Sequence, residues 1–117
     1  MKDCLVITRH APYGTAFGKE GLDAVLMASA FTRVSLLFMD DGVFQLLQNQ
    51  EPQNLHIKGY SPVFELLEQY EVRPIYVAAS SLTDRALSIN DLVIEPELVE
   101  DLRIGQLIEQ HQFILTF

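Results

Sequence analysis

Five short apolar runs punctuate the chain: Cys4-Leu5-Val6-Ile7, Val34-Ser35-Leu36-Leu37-Phe38-Met39, Ile75-Tyr76-Val77-Ala78, Leu92-Val93-Ile94 and Phe113-Ile114-Leu115-Thr116-Phe117. Most are nearly continuous rather than alternating, the pattern of strands covered on both faces. Between them the apolar positions recur with helical spacing. A helix over Leu22 to Phe31 follows the first run. Val43, Leu46 and Leu47 form a shorter stripe, with Asp41 placed to cap it. Val63, Leu66, Leu67 and Tyr70 fall on one helical face, with Ser61 as cap and Pro62 in the first turn. Ser81-Leu82-Thr83-Asp84 reads as a capping box that opens a brief helix. Pro96 and Glu97 are expected to begin the last helix, with Leu98, Leu102, Leu107 and Ile108 turned inward. The polar stretch Gln48 to Gly59, which holds Pro52 and Asn54, reads as a loop. Strands alternating with helices predict an α/β fold in three layers, with helices on both faces of a mostly parallel five-stranded sheet, formed by residues 1–117 as a single domain.

Charge and composition narrow what such a domain can do. The net charge is −8, from 16 acidic and 8 basic residues, and no two basic residues are adjacent. A phosphate backbone is bound by clustered Lys and Arg, so direct contact with nucleic acid is not expected. Yet 49% of the residues are apolar, more than a small core needs, which points to an apolar interface with partner subunits. The helix from Leu22 to Phe31 makes the same point. Its only polar side chains are Asp23 and Ser29, so it is apolar on more than one face. Met27 and Phe31 on that helix, with Phe44 and Phe64 off the main stripes of theirs, are the interface candidates. No run approaches the length of a membrane span, and Met1-Lys2-Asp3-Cys4 does not open a signal segment, so a cytoplasmic setting without membrane contact is expected.

The candidate chemistry is sparse. Gly14-Thr15-Ala16-Phe17-Gly18-Lys19-Glu20 falls short of a P-loop. It is one residue short between the glycines, and a carboxylate stands where Ser or Thr would hold magnesium. Asp40 and Asp41 follow the second run, but no acid or Lys ends the first or third to complete a magnesium site. Ser80 and Ser81 lack a Gly-x-Ser-x-Gly elbow. His10, His56 and His111 have no ligand-spaced companions. Cys4 is the only thiol, and its apolar neighbours predict burial and inertness. No catalytic residue, metal site or cofactor is therefore expected.

Several blocks together resemble the TusC/DsrF-like branch of the DsrE-like family. They are Gly14-Thr15; Gly18-Lys19-Glu20-Gly21-Leu22-Asp23-Ala24; Asp41-Gly42-Val43-Phe44-Gln45-Leu46-Leu47 with Gln50 and Pro52; and Ala79-Ser80-Ser81-Leu82 with Arg85 and Leu87. The similarity runs over nearly the whole chain. It implies a DsrE-like fold and a heterohexamer with TusB-like and TusD-like subunits, which passes persulfide sulfur towards 2-thiolation of the tRNA wobble uridine. It also implies that the working cysteine belongs to the TusD-like partner. Relatives often carry a cysteine where the third strand ends, and the matching position here is Ala78. This chain is then an accessory subunit and not an enzyme. Two other readings stay open: the DsrF subunit of a DsrEFH sulfur-oxidation complex, and a free-standing α/β domain that binds a small molecule through the loop Ala11 to Gly21.

Overall fold

A computed structural model describes residues 3–10, 17–47, 67–92 and 94–117, with backbone alone for residues 17–22. The strands are β1 (Asp3–Thr8), β2 (Arg33–Phe38), β3 (Ile75–Ala78), β4 (Glu97–Val99) and β5 (Phe113–Thr116). The helices are α1 (Phe17–Ser29), α2 (Ala79–Asp84) and α3 (Asp101–Gln110), with a 3-10 helix over Asp40–Leu46. Residues 67–69 are also helical. The strands lie in the order β4-β3-β2-β1-β5, and every neighbouring pair is parallel.

That order explains which face each connection covers. From β1 to β4 the chain steps across the sheet in one direction, and right-handed crossovers then keep the described parts of these connections on one side. Val25 of α1, Val43 and Leu46 of the 3-10 helix, Leu67, Val72 and Leu82 of α2 accordingly share one core with Cys4, Val6, Val34, Leu36, Phe38 and Val77. From β4 the chain must return across the whole sheet to β5, so its connection crosses the other side. There, among the described residues, α3 covers Leu5, Ile7, Leu37, Tyr76, Ala78 and Val99 through Ile104 and Leu107. The alternation within each strand makes this division possible, since successive residues face opposite layers.

Four sequence expectations are corrected. The fourth strand is Glu97–Val99 and not Leu92–Ile94, because Leu92 leaves the sheet to form an antiparallel bridge with Leu47. The last helix therefore starts at Asp101 rather than Pro96, and its phase shifts. Ile104 and Leu107 are buried, whereas Leu98, Leu102 and Ile108 are exposed. Residues 17–21, read as the end of a glycine loop, already belong to α1, where Lys19 and Glu20 are good helix formers. Capping differs too. The 3-10 helix is preceded by Met39 and α2 by Ala78, neither with a side-chain cap; the capping box is Ser88 with Asp91 instead. Phe64, His56, Ser61, Pro62, Val63, Leu66, the loop Gln48 to Gly59 and residues 11–16 of the glycine loop lie outside the described residues.

Candidate functional site

In open parallel sheets ligands bind beyond the C-terminal strand ends, so the chemistry of that edge decides what the fold can do. Across it stand Val99, Ala78, Phe38, Thr8 and Thr116, followed respectively by Glu100-Asp101, Ala79-Ser80-Ser81, Met39-Asp40-Asp41, Arg9-His10 and Phe117. The described segments after β1, β2 and β3 are tied to one another. Met39 N–H donates to the Thr8 carbonyl (3.0 Å), and Asp40 N–H donates to Ser81 Oγ (2.9 Å). Arg9 Nε reaches Asp40 Oδ2 at 2.8 Å. Asp40 holds φ 51°, a left-handed backbone in which Asp is one of the more tolerated residues. The contact with buried Ser81 fixes its amide there.

Asp41-Gly42-Val43-Phe44-Gln45-Leu46-Leu47 supplies the lock, and each residue has a separate task. Arg85 donates two N–H groups, at 2.9 and 3.2 Å, to Asp41 Oδ1. It also donates to the Ser81 carbonyl (3.2 Å), and its guanidinium lies 5.9 Å over the Phe44 ring. Gly42 is packed against the Thr8 carbonyl, where a Cβ would overlap the oxygen. Val43 and Leu46 are fully buried, Gln45 Nε2 donates to the His10 carbonyl (2.9 Å), and Leu47 bridges Leu92. Asp41 is thus an ion-pair partner and not a helix cap. Arg85→Ala removes the ion pair, a backbone hydrogen bond and the ring contact together. Its side chain is largely buried, so the expected cost is about 1–2 kcal/mol, read as a lower thermal midpoint. Arg85→Lys, which cannot give the paired N–H groups, is expected to recover only part of it.

The outer part of this edge is an open depression of about 510 Å³ lined by Ala79, Ser80, Thr83, Asp84, Glu100, Asp101 and Leu102. Its hydroxyls are already engaged: Ser80 Oγ donates to Asp101 Oδ1 (3.1 Å), and Thr83 Oγ1 to the Ala79 carbonyl (3.2 Å). The three carboxylates among its lining residues, Asp84, Glu100 and Asp101, disfavour a thiolate, a persulfide anion or a phosphate in this depression. Among the described residues no three of His, Cys, Asp or Glu group so as to hold a metal ion. No described helix is long and apolar enough to cross a membrane. His111 closes α3, with Nδ1 2.7 Å from the Leu107 carbonyl.

Among the described residues, two buried groups are shifted from their usual range. Burial pushes the Cys4 thiol up, which keeps it protonated. Burial also raises the Tyr76 phenol, Glu97 adds to the rise, and Arg103 opposes it. The interface candidates divide by position. Met27 is 70% and Phe31 82% exposed, at the end of α1 and in the turn before β2. Arg33 there is in register with Asp3, so both residues sit at the edge where the strands begin. Phe44 is half-buried under Arg85. The outward apolar residues of α3, Leu102 and Ile108, escaped sequence reading because the helix was phased from Pro96 rather than from Asp101.

The geometry has matching relatives. The family model described as DsrE/DsrF-like matches residues 2–117. A "Protein TusC homolog" of Vibrio parahaemolyticus is 36% identical over 118 residues, covering all of both chains. The "Intracellular sulfur oxidation protein DsrF" of Allochromatium vinosum is 35% identical over 132 residues, covering all of this chain and 97% of its own. Among solved structures, the ychN protein of E. coli superposes with a TM-score of 0.80 at 21% identity, covering all of both chains. MTH1491 of Methanobacterium thermoautotrophicum does so at 0.75 and 14%, also over all of both chains. These two structures share the fold.

Proposed function

Because the chain belongs to the DsrE/DsrF-like family, we propose that it is a non-catalytic structural subunit of a TusBCD-type sulfurtransferase heterohexamer. TusB-like and TusD-like subunits are its partners, and the working cysteine is on the TusD-like one. The complex relays persulfide sulfur for 2-thiolation of the tRNA wobble uridine. The observation that carries this reading is the state of the one thiol. A relay cysteine must be exposed and partly ionised at ambient pH. Cys4 is buried within β1, among core residues, and its thiol is pushed up by that burial. At the end of β3 stands Ala78, itself buried, beside an acidic depression unsuited to an anionic sulfur. The net charge of −8 supports a subunit that does not touch the tRNA itself. Met27, Phe31, Phe44 and Phe64 are the residues through which we expect it to meet its partners.

A second reading is favoured by the DsrF relative, whose identity to this chain is nearly that of the TusC homologue. The chain would then be the DsrF subunit of a DsrEFH sulfur-oxidation complex, with the same structural part and different sulfur traffic. One experiment tests both. The 2-thiouridine content of tRNA is measured in cells that lack the gene and in cells whose only copy carries Cys4→Ala. Loss on deletion and normal content with Cys4→Ala are expected. Normal content after deletion favours the DsrF reading. Loss with Cys4→Ala, while the complex still assembles, means that this chain carries sulfur itself.

A further inference from the structure

Gly105 sits in the middle of α3, where glycine costs a helix stability relative to alanine. Nothing among the described residues calls for it: a Cβ at 105 would have none of their atoms within 4 Å. Gly42 is the contrast, since there the chain's own backbone excludes a side chain. Gly105 points away from the face that Ile104 and Leu107 bury. On the helix surface its neighbours at i±3 and i±4 are Asp101, Leu102, Ile108 and Glu109. Leu102 is 78% and Ile108 42% exposed, and both acids belong to exposed residues. Around the glycine the rim therefore alternates acid, apolar, acid, apolar. It encloses a hole floored by backbone, of the size that a side chain of a facing helix fills.

We propose that this hole docks a helix of a partner subunit. An aliphatic side chain of that helix seats on Gly105 between Leu102 and Ile108, and Lys or Arg residues on either side of it meet Asp101 and Glu109. Two observations select this occupant. An exposed helix-interior glycine flanked by exposed aliphatics admits close backbone approach, which an alanine would hinder. The charges exclude the simplest alternative, a second copy of this chain crossing about a two-fold axis at Gly105. Such a pair would bring two further carboxylates, the second copy's own Asp101 and Glu109, to a rim that already holds two and carries no Lys or Arg to meet them. Four carboxylates would then share one contact as it is desolvated. Next to the hole, Asp84 and Glu100 extend the acidic surface, which further favours a basic partner.

The inference rests on the subunit reading above and deepens it by assigning a contact surface. Its test uses the chain co-expressed with the TusB-like and TusD-like subunits of the same organism, with assembly followed by sedimentation. Gly105→Ala, which nothing within the chain opposes, is expected to weaken assembly on the order of tenfold although it favours the helix. Gly105→Leu is expected to abolish assembly. Gln106→Leu, beside the hole but not on its rim, is expected to leave it unchanged. In a Cys4→Ala chain carrying Gln106→Cys, a thiol-to-amine cross-linker is expected to capture a lysine of another subunit. Capture of a second copy of this chain, or an intact complex with Gly105→Leu, overturns this inference alone. Failure of the wild-type chain to join either subunit overturns the subunit reading and this inference with it.

Discussion

Met27→Asp and Phe31→Asp are each expected to keep the chain out of its complex while leaving its fold intact. Both side chains lie largely in solvent, at 70% and 82% exposure, so neither substitution removes core packing. If they are covered by a partner, each new carboxylate is taken out of water without a counter-charge. That costs about 3–5 kcal/mol, enough to lower affinity by a factor on the order of a hundred or more. Sedimentation of the co-expressed subunits reads the loss, and the far-UV spectrum of the mutant chain reads the fold. Without its partners the wild-type chain is expected to self-associate through the same residues, and the aspartate variants to do so less. Phe44→Asp is a poorer probe, because Phe44 also supports Arg85. A normal complex from both aspartate variants would place the contact elsewhere.

Gly42→Ala is expected to be the most damaging small substitution in the chain. The added methyl would overlap the Thr8 carbonyl oxygen, and that oxygen belongs to backbone already held by the Met39 amide. Neither side can rotate away as a flexible side chain would. Either β1 parts from the segment after β2, or the 3-10 helix shifts and pulls Val43 and Leu46 from the core. The expected loss is about 3 kcal/mol or more, out of a total near 5–15 kcal/mol. It would appear as a fall of roughly 10 °C or more in thermal midpoint. A drop of a degree or two would mean that the two segments are less rigidly joined than their contacts imply. Gly105→Ala is the matched control, since there the same methyl meets open space.

How far the sequence was legible depended on what each residue's neighbours do. Central strands read directly, because Leu5-Val6-Ile7 and Leu36-Leu37-Phe38 are covered on both sides and so are continuously apolar. The fourth strand did not. As a three-residue edge it exposes Glu97 and Leu98, while the more apolar Leu92 is spent on a bridge to Leu47. That one displacement carried into α3, turning Leu102 inward on paper when it faces solvent. Asp41 and Ser81 were misread for a related reason. Local spacing offers them as caps, but their real partners, Arg85 and the Asp40 amide, come from other segments and can be seen only once the strand ends meet. The block from Asp41 to Leu47 was recognisable as a unit, yet its reason was hidden. It is a clamp on β1, β2 and α2. The exposure of Met27 and Phe31 was legible because a segment apolar on several faces must leave some of its residues outside.

The reversal of direction after β4 bears on the newborn chain. As residues are added, β1 to β4 can line up with their connections gathered on one side of the sheet. Throughout that time Leu5, Leu37 and Tyr76 look out from the other side without α3 over them. Their cover, α3, is made next to last. The strand after it must slot beside β1. Sheet closure thus waits on a contact between residues as far apart in sequence as Cys4 and Phe113, the kind of long-range pairing that forms slowly. Until then the nascent chain carries an apolar surface that attracts chaperones and other unfinished chains. A message cut short before Asp101 would lack Ile104 and Leu107, the residues of α3 that pack on that surface.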